Sequence, residues 1–415
     1  IIRGILTGLN DAFIINQSTY DEILNTDPNA EQFIFPMMKG DDASRYLSNF
    51  SNRYLIRVPS GWSMDRASSQ SEEEAWDWFK QEYPGLASHL AEFEEDAKSR
   101  YDRGECWWEL RPCDYYDQFE KTKIVYPEIS DGPRFSLDLN NRYTNNKCFI
   151  IPSEDHELVG ILNSSLGEFW AENKLSSVRG GYLEYRAVHV SEFPIPTEST
   201  SELSEPVNDI IGYIADLRKL NLSLLDHLGS YSEGPTLADI GLPQPPGGSA
   251  DSILQQTATE KPNLRVGAAS VVRESPNTVE IRLTARYKPS EDDDLDESEF
   301  DVDQWGYTET DPQPALRLTD LTSTEADLIE AFVPVAVDEA GGFADFRETA
   351  TKTNSLVDRL RKLTLPAVAD VEAGLESYVQ TKARAEELEE KIEQTDALID
   401  EIVYELYGLT DEEIE

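Results

Sequence analysis

Short apolar runs alternate with longer amphipathic stretches along the first 197 residues of this chain. Five runs have the composition of strands, namely AFIIN, EQFIFPMM, NRYLIRVP, TKIVYPEI and KCFIIPS. Two stretches have the spacing of amphipathic helices, EEEAWDWFKQEYPGLASHLAEFEEDAKSRYD and DHELVGILNSSLGEFWAENK. Two prolines and a Ser/Thr cluster in SEFPIPTES end the pattern. The first part of the chain is therefore predicted to be an α+β domain over residues 1–197.

The pattern turns helical after this boundary. Within residues 204–229 a 3,4 spacing joins Val207, Ile210, Ile214, Leu217, Leu224 and Leu228, and Asn221 takes the remaining seam position. An arm of a coiled coil and a helix of an ordinary bundle explain this short run equally well. A second run extends over residues 351–408, with a one-residue slip near Ala385. Its heptad positions are Val371, Leu375, Tyr378, Leu388, Ile392, Thr395, Ile399, Ile402, Leu406 and Leu409.

The sequence between the helical runs has a different composition. Residues 231–262 are rich in Pro, Gly and Ser, which is typical of a linker. Two strand-like runs joined by SPN, LRVGAASVVRE and TVEIRLTARYK, predict a β-hairpin. The acidic run SEDDDLDESEFDVDQ follows, and because it lacks the glycine of a calcium loop, we expect a solvated loop there and no metal site.

These patterns together predict an α+β fold, in which a mixed α/β domain precedes long helices forming a coiled-coil-like arm with an inserted β-hairpin. At the carboxyl end, Gly408 is predicted to end one helix, and Thr410 with Glu413 to cap another. The predicted segments are 1–197 (α+β domain), 198–230 (first helical arm), 231–262 (linker), 263–345 (hairpin and acidic loop) and 346–415 (long helix and cap).

Acidic residues outnumber basic ones by 81 to 36, so the net charge is −45, and the acidity is spread over the whole chain. Such a chain either avoids or mimics polyanions, or comes from a halophile, whose protein surfaces stay hydrated in molar salt. Lys is scarcer than Arg, 14 against 22, and its long stem is poorly hydrated, which favours a halophile. Since the Debye length falls to about 3 Å at 1 M salt, net charge then says little about partners.

Several classes of protein are disfavoured by what the sequence lacks. Three irregularly spaced cysteines form neither a disulfide framework nor a zinc motif, and we expect a reducing cytoplasm. No apolar run is long enough to span a membrane, and no signal-peptide pattern begins the chain. Phosphate-loop, dinucleotide-binding, zinc-protease and serine-hydrolase motifs are absent, as is a convincing nuclease pattern.

Basic residues retained near glycines or strand ends are the best candidates for ligand contacts. In SVRGGYLEYR, glycines allow close backbone approach, Arg can fork onto a phosphate or a guanine, and Tyr can stack. A plain glycine turn with surface charges explains the same residues about as well. Trp107 and Trp108 could stack on an extruded base, but core packing is expected for at least one of them. Adjacent residues on a strand face opposite ways, so one of the two could be exposed.

An ordered series of motifs resembles one family. The motifs are GILTGLNDAFIIN, FPMMKGDDASRY, YLIRVP, YPGLASHLAEFEEDAKSR, WWELRP, KIVYPEI, GILNSSLGEFW, RGGYLEYR and FPIP, and IDEIVYELYGLTDEEIE ends the chain. In this order they resemble TaqI-like target-recognition domains, the specificity part of adenine-specific DNA methyltransferases and of type IIG restriction-modification enzymes. The resemblance covers most of residues 1–197 and the last 17, and the hairpin and acidic loop have no counterpart in it.

The resemblance implies double-stranded DNA as the partner and a methyltransferase domain upstream, in the same chain or in a separate subunit. That domain would bind S-adenosylmethionine and hold the adenine with an Asn-Pro-Pro-Tyr type motif. Neither its Gly-rich loop nor this motif occurs here, and QPPGG lacks the Asn and the aromatic residue. We therefore expect a piece of a longer protein that has no catalytic residue and no cofactor of its own and that recognises DNA.

The DNA contacts expected from this resemblance lie in the first domain. The candidates are Thr7, Gly8, Asn10, Lys39, Arg45, Lys121, Lys123, Arg179, Gly180, Gly181, Tyr182 and Arg186. Two alternatives stay open at this point. The first is a specificity subunit that acts in trans with separate methylation subunits, and the second is a coiled-coil interaction protein without a role in nucleic-acid binding.

Overall fold

A computed structural model of the chain describes residues 1–197, 202–247, 249, 252–257, 259–261, 263–289, 302–339 and 354–414. The chain divides into two compact units. Unit 1 consists of Ile1–Lys219 and Leu388–Glu415, and unit 2 consists of Leu220–Glu387. Unit 2 is thus inserted into the sequence of unit 1.

Short strands and short helices alternate in unit 1. The strands are β1 (Ile2–Arg3), β2 (Ile14–Asn16), β3 (Ile34–Met38), β4 (Tyr46–Leu47), β5 (Arg53–Ile56), β6 (Lys123–Pro127), β7 (Ile129–Ser130), β8 (Ser136–Asp138), β9 (Tyr143–Thr144), β10 (Cys148–Ile151), β11 (Ser176–Ser177) and β12 (Leu183–Glu184). The helices are α1 (Asn10–Phe13), α2 (Gln17–Thr26), α3 (Trp62–Ala67), α4 (Glu72–Glu82), α5 (Pro84–Ala91), α6 (Glu94–Ser99), α7 (Tyr116–Phe119), α8 (His156–Asn163), α9 (Ser165–Lys174), α10 (Ala187–Val190) and α11 (Ser204–Leu217).

The strands of unit 1 form three small sheets. Their orders are β1-β10-β6-β8-β4, β2-β5-β3-β9 and β11-β12-β7. Most neighbours are antiparallel, and the parallel pairs are β3 with β9 and β4 with β8. Mixed sheets with interspersed helices confirm the predicted α+β class.

Helix starts in unit 1 follow the local chemistry of the sequence. Ser71 caps α4 by accepting a hydrogen bond from the amide of Glu74, and Asp155 caps α8 in the same way. Pro84 occupies the first position of α5, where a missing N–H costs nothing. The single long amphipathic stretch of the sequence is therefore divided into three helices, α4, α5 and α6.

One buried guanidinium connects the amino-terminal loop of unit 1 to the turn that carries the tryptophan pair. Arg100 is 8% exposed and donates to the carbonyls of Thr7 at 2.6 Å and Trp107 at 2.9 Å. Its guanidinium carbon also lies 4.0 Å from the centre of the Phe13 ring. Burial lowers the pKa of Arg100 to about 10, so the group remains charged at neutral pH. Its loss would leave buried carbonyl groups without donors.

Unit 2 has a larger sheet, a separate two-stranded pair and its own core. Its elements are α12 (Leu224–Leu228), β13 (Glu233–Thr236), β14 (Leu242–Gln244), β15 (Arg265–Ser275), β16 (Thr278–Tyr287), β17 (Thr308–Glu309), β18 (Gln313–Thr319), α13 (Ser323–Glu339), α14 (Leu356–Leu360), β19 (Thr364–Pro366) and the first half of α15 (Val368–Tyr407). Strands β14-β18-β16-β15 form one sheet, β17 pairs with β16, and β13 pairs with β19. Arg273 of β15 binds Asp327 and Glu330 of α13, which holds that helix on the sheet.

The β-hairpin expected from the sequence is confirmed. Strands β15 and β16 pair antiparallel from Arg265↔Arg286 to Ser275↔Thr278, with SPN at the turn. The structure adds two neighbouring strands and a helix that the sequence pattern did not predict. Strands β13 and β14 also occupy part of the segment interpreted as a linker, 231–262. The acidic run falls mostly on residues 290–301, which lie outside the described residues.

The coiled-coil arm is not confirmed. Helix α11 ends at Leu217, and Asn221, the predicted seam residue, lies between α11 and α12 with its amide oxygen accepting from the Ser223 amide at 3.0 Å. In unit 1 the apolar faces of α11 and of the second half of α15 join one core with α8. A Cβ on Gly160 of α8 would lie 2.8 Å from Val207 and 3.7 Å from Ile399. The heptad-like spacing therefore reflects burial against several elements of the core.

The carboxyl-terminal caps agree with the sequence. Gly408 follows α15 with φ +67, a conformation that favours glycine. Thr410 donates from its hydroxyl to the Glu413 carboxylate at 2.9 Å, and α16 (Asp411–Ile414) follows. Within the described ranges, the longest helices are too polar, and the most apolar ones too short, to cross a bilayer.

Neighbouring residues of α15 test whether its second half belongs to the core of unit 1. Ile399 is fully buried, whereas Leu398 is 44% exposed. We expect Ile399→Ala to lower the free energy of unfolding by about 2–5 kcal/mol, because it leaves a cavity. Leu398→Ala is the matched control and should change it far less. Urea unfolding followed by circular dichroism measures both, and equal effects would exclude this packing.

Candidate nucleic-acid interface

A tight hairpin presents the motif SVRGGYLEYR at the surface of unit 1. Strands β11 and β12 pair as Ser176↔Glu184 and Ser177↔Leu183, and the Val178 amide donates to the Tyr182 carbonyl at 2.8 Å. Gly180 and Gly181 lie at the turn with φ +91 and +82. Both values are in the left-handed region, so the glycine pair is required by the backbone itself. The glycine-turn interpretation and the ligand-contact interpretation thus apply to the same residues.

The tip of this hairpin exposes one cation and one aromatic ring. Arg179 is exposed and forms no ion pair with any residue that the structure describes. Tyr182 is 45% exposed, and its ring lies beside Gly180, where a Cβ would sit 3.4 Å away. Leu183 and Tyr185, which follow directly, are buried and fix the hairpin to the unit. The tip can therefore present a guanidinium fork and a phenol without refolding.

More cations lie around Glu128, next to the end of strand β12. Strand β12 pairs with β7, and the Tyr185 amide donates to the Glu128 carbonyl at 2.8 Å. The carboxylate of Glu128 binds both Arg3 and Lys147 at 3.3 Å.

Two further cations belong to the same edge. Gly40, next to Lys39, lies against Pro127, where a Cβ would be 3.5 Å from the proline side chain. Arg186 binds Glu184 at 2.8 Å and is 59% exposed. We call this set the hairpin surface, which comprises Arg3, Lys39, Lys147, Arg179, Tyr182 and Arg186.

Two members of the hairpin surface were not among the candidates taken from the sequence. Arg3 lies in β1 and Lys147 just before β10, and the pairing of these strands brings both residues to Glu128. Arg3 precedes a glycine just as Arg179 does, so the Arg-Gly pair was the available signal. Lys147 carried no comparable signal, because its position follows from strand pairing alone.

The loop at Thr7–Asn10 divides into a buried and an exposed part. Thr7 is 1% exposed and its hydroxyl donates to the Asn10 side chain at 2.8 Å, so its role is structural. Gly8 has φ +70, and a Cβ there would lie 3.2 Å from Asp102. Gly8 and Asn10 are exposed. The backbone at Gly8 and the side chain of Asn10 are therefore the parts of this loop that a ligand can reach.

Lys123, a candidate for DNA contact, lies in the interior. Its side chain is 0% exposed, binds Asp138 at 2.6 Å and donates to the Phe119 carbonyl at 2.8 Å. Burial lowers its pKa, and Asp138 opposes that shift. Because a buried ammonium cannot reach a duplex, this assignment is corrected. Lys121 is different, since it is 61% exposed and pairs with Asp117 four residues earlier.

Arg45 also binds other residues of unit 1. Its guanidinium binds both oxygens of Asp396 on α15, at 2.8 and 2.9 Å, and donates to the Asn163 carbonyl at 2.7 Å. The Tyr46 hydroxyl donates to the same carboxylate at 2.5 Å. A fork that is already filled by a carboxylate is not available for a phosphate, so Arg45 is reassigned to anchoring the carboxyl-terminal helix.

The tryptophan pair lies entirely in the core. Trp107 is 1% and Trp108 0% exposed, and the indole of Trp108 donates to the Ser63 hydroxyl at 2.8 Å. Both residues lie in a turn, so the strand alternation that would have exposed one of them does not apply. Stacking of either ring on an extruded base is thereby excluded in this conformation.

The described residues contain no cluster of His, Cys, Asp and Glu side chains that could hold a metal ion. The segment QPPGG does not match the adenine-holding motif of the implied methyltransferase domain. Pro245 and Pro246 follow strand β14 directly, and the Pro246 carbonyl accepts from the Ser249 hydroxyl at 2.8 Å. No Asn side chain precedes these prolines and no aromatic ring follows them.

Comparison with known proteins supports the resemblance stated from the sequence. Residues 35–195 match the family model of the TaqI-like C-terminal specificity domain, which confirms the resemblance for that region. No curated protein matches the chain. Among solved structures, the chain is similar to the type IIL restriction-modification enzyme MmeI in complex with DNA, with a TM-score of 0.36 and 14% identity over 54% of this chain. This chain spans 29% of the length of that protein.

A pair of lysines tests the division into interior and surface cations. We expect Lys123→Met to lower the free energy of unfolding by about 3–5 kcal/mol, because it strands the buried Asp138 carboxylate. The control Lys121→Met removes the same charge from an exposed helix pair and should have little effect. Thermal and urea unfolding report the difference. Equal stability of the two variants would contradict the buried position of Lys123.

Proposed function

We propose that this chain is the DNA target-recognition portion of an adenine-specific DNA methyltransferase that belongs to a restriction-modification or phage-defence system. The observation that carries the proposal is the match of residues 35–195 to a specificity-domain family. The hairpin surface supports it, because five cations and an exposed tyrosine lie along the β11–β12 hairpin and the strand ends next to it, in a chain with a net charge of −45.

The hairpin surface suits the two tasks of sequence-specific recognition. Contacts to phosphates fix the register of a protein on the duplex, and contacts to base edges read the sequence. Arg3 and Lys147 share the Glu128 carboxylate and are suited to phosphates. Arg179 and Tyr182 lie at the tip of a two-stranded ribbon, a shape that the major groove admits. We assign base reading to this tip.

Partner carboxylates limit how strongly the surface attracts DNA at a distance. Lys147 and Arg186 each have a carboxylate within 3.3 Å, so that a phosphate must compete for them. In molar salt the counterion contribution to binding also falls steeply. We therefore expect recognition to depend on direct contacts and on the shape of the duplex more than on long-range attraction.

Catalysis and cofactor binding belong to a partner in this proposal. A methyltransferase domain, in the same chain or as a separate subunit, would bind S-adenosylmethionine and methylate adenine. The residues of this chain would bind the duplex, hold it in register and read it. No step of methyl transfer is assigned to them.

A specificity subunit acting in trans remains the alternative within the same class. Two recognition domains joined by helices would favour it, whereas the family match covers one region, residues 35–195. A coiled-coil protein without a nucleic-acid role is less consistent with the structure, because the buried heptad residues Val207, Ile210 and Ile399 share one core with strands and other helices of unit 1.

Substitution of the two arginines of the hairpin tests the proposal. A duplex enriched from a random pool by the unmodified chain serves as the ligand, with measurements at low and at high KCl. We expect Arg179→Gln/Arg186→Gln to lose about 1–3 kcal/mol of discrimination for each lost base contact. Binding to unrelated duplexes should weaken less.

A matched control removes the same charge elsewhere in unit 1. Lys80 and Lys98 are exposed helix residues, each paired with a carboxylate one turn away. Lys80→Gln/Lys98→Gln should retain the specificity of the unmodified chain. If the arginine variant retains its affinity and discrimination as well, base reading does not belong to this hairpin, and if no duplex is enriched, the proposed function is rejected.

A further inference from the structure

Unit 2 gathers four cations around two tyrosines at one end of its large sheet. The charged groups of Arg265, Arg286 and Lys288 lie 4.9, 5.1 and 5.0 Å from the centre of the Tyr307 ring. Nearby, the ammonium of Lys261 lies 4.6 Å from the centre of the Tyr287 ring. We call Arg265, Arg286, Lys288 and Lys261 the cation cluster. In a chain with 36 basic residues and 81 acidic ones, this concentration requires an explanation.

Stability alone does not explain the arrangement. Arg265 and Arg286 lie directly opposite each other on β15 and β16, and like charges in that position are destabilising. The Asp303 carboxylate binds Arg286 and so compensates one of the charges. Arg265 and Lys288 have no carboxylate within ion-pair distance among the residues that the structure describes. One cation over Tyr307 would provide the ring contact without the repulsion.

The acidic side chains that face the cluster use part of their hydrogen-bonding capacity on other groups. Glu309 pairs with Arg286 along the strands, yet its carboxylate accepts from the Thr284 hydroxyl. Gly267 makes room for it, since a Cβ there would lie 2.3 Å from the Glu309 carboxylate. Asp303 also accepts from two backbone amides, those of Trp305 and Tyr307, at 2.8 and 2.9 Å. Among the residues that the structure describes, Asp303 and Glu309 therefore leave Arg265 and Lys288 without a carboxylate of their own.

An exposed indole lies beside the cations. Residues 303–307 form a tight turn, in which the Asp303 amide donates to the Tyr307 carbonyl at 2.9 Å and Gly306 has φ +75. The turn directs Tyr307 inward, where it is 9% exposed, and leaves Trp305 67% exposed. Arg265 and Lys288 are suited to the phosphates of a nucleic-acid backbone, and the exposed indole in the turn that holds Tyr307 offers an apolar ring to its sugars.

We propose that the cation cluster and Trp305 form a second DNA-contacting surface, which binds the phosphodiester backbone of double-stranded DNA without reading its sequence. Arg265 and Lys288 contact phosphates, Arg286 is held by Asp303 as a positioning residue, and Trp305 packs on deoxyribose. The choice of DNA as the polyanion rests on the proposed function, whereas the site itself rests on the geometry of unit 2. None of these side chains belongs to the region matched by the specificity-domain family, residues 35–195.

The salt dependence of DNA binding by the full chain tests the proposal. Each phosphate contact contributes about 0.9 to the slope of log affinity against log salt concentration. We expect Arg265→Gln/Lys288→Gln to lower this slope by about 1.8 and to weaken binding to all duplexes alike, so that the ratio of specific to non-specific affinity is unchanged. Trp305→Ala should weaken binding without changing the slope.

A matched control separates local contacts from net charge. Arg361 and Lys362 are exposed residues of the same unit. Arg361→Gln/Lys362→Gln makes the same change in charge and should leave the slope as it is in the unmodified chain. Urea unfolding should show that both double variants retain the fold, because Arg265 and Lys288 are exposed and removing them relieves repulsion.

The outcomes distinguish this inference from the proposed function. If the Arg265/Lys288 variant binds with the affinity and slope of the control, the second surface is rejected. The same result is expected if the acidic run forms ion pairs with these cations. That result does not affect the test of Arg179 and Arg186 in the β11–β12 hairpin. If the unmodified chain prefers no sequence but the Arg265/Lys288 variant still lowers the slope for duplex DNA, the second surface stands and the proposed specificity falls.

Discussion

The scarcity of positive charge is the constraint on which this structure depends. With 36 basic residues among 81 acidic ones, a cation meets a carboxylate easily, and most of the cations are paired within the fold. Lys123 neutralises a buried aspartate, Arg45 anchors α15 and Arg273 holds α13 on its sheet. Arg179, Arg265 and Lys288 are exposed and have no ion pair with any residue that the structure describes, so they are available to a polyanion. Cations that are held by a carboxylate, such as Lys147 and Arg186, must exchange it for a phosphate.

Local sequence predicted local structure well. The strand runs, the glycine turn at Gly180–Gly181, the β15–β16 hairpin and the caps at Gly408 and Thr410 depend on neighbours within a few residues, and all of them are present. The α+β class followed from the same patterns. The helical spacing in residues 204–229 correctly predicted helices, present as α11 and α12. It did not predict their packing, because spacing records which positions are apolar and not which element covers them.

Contacts between distant parts of the sequence could not be predicted in this way. Lys123 and Lys121 are two residues apart and look alike in sequence, yet strand β6 turns one of them inward to Asp138 and leaves the other in solvent. Arg45 meets a carboxylate on α15, far along the chain, and Lys147 reaches the hairpin surface through strand pairing. Residue types can thus indicate which side chains are candidates for a site. The partners that the tertiary structure brings to these side chains decide which of them are available.

The insertion of unit 2 has a consequence for synthesis. The amino-terminal part of a chain is made first and emerges first from the ribosome, at about 5–20 residues per second. Unit 1 cannot complete its core at that stage, since Ile399 and Val403 belong to the same buried cluster as Val207 and Ile210. Unit 2 is continuous in sequence and can fold as soon as it emerges. The nascent chain therefore carries the hairpin on an unfinished unit until α15 has been made, a period in which exposed apolar faces of α8 and α11 are open to chaperones.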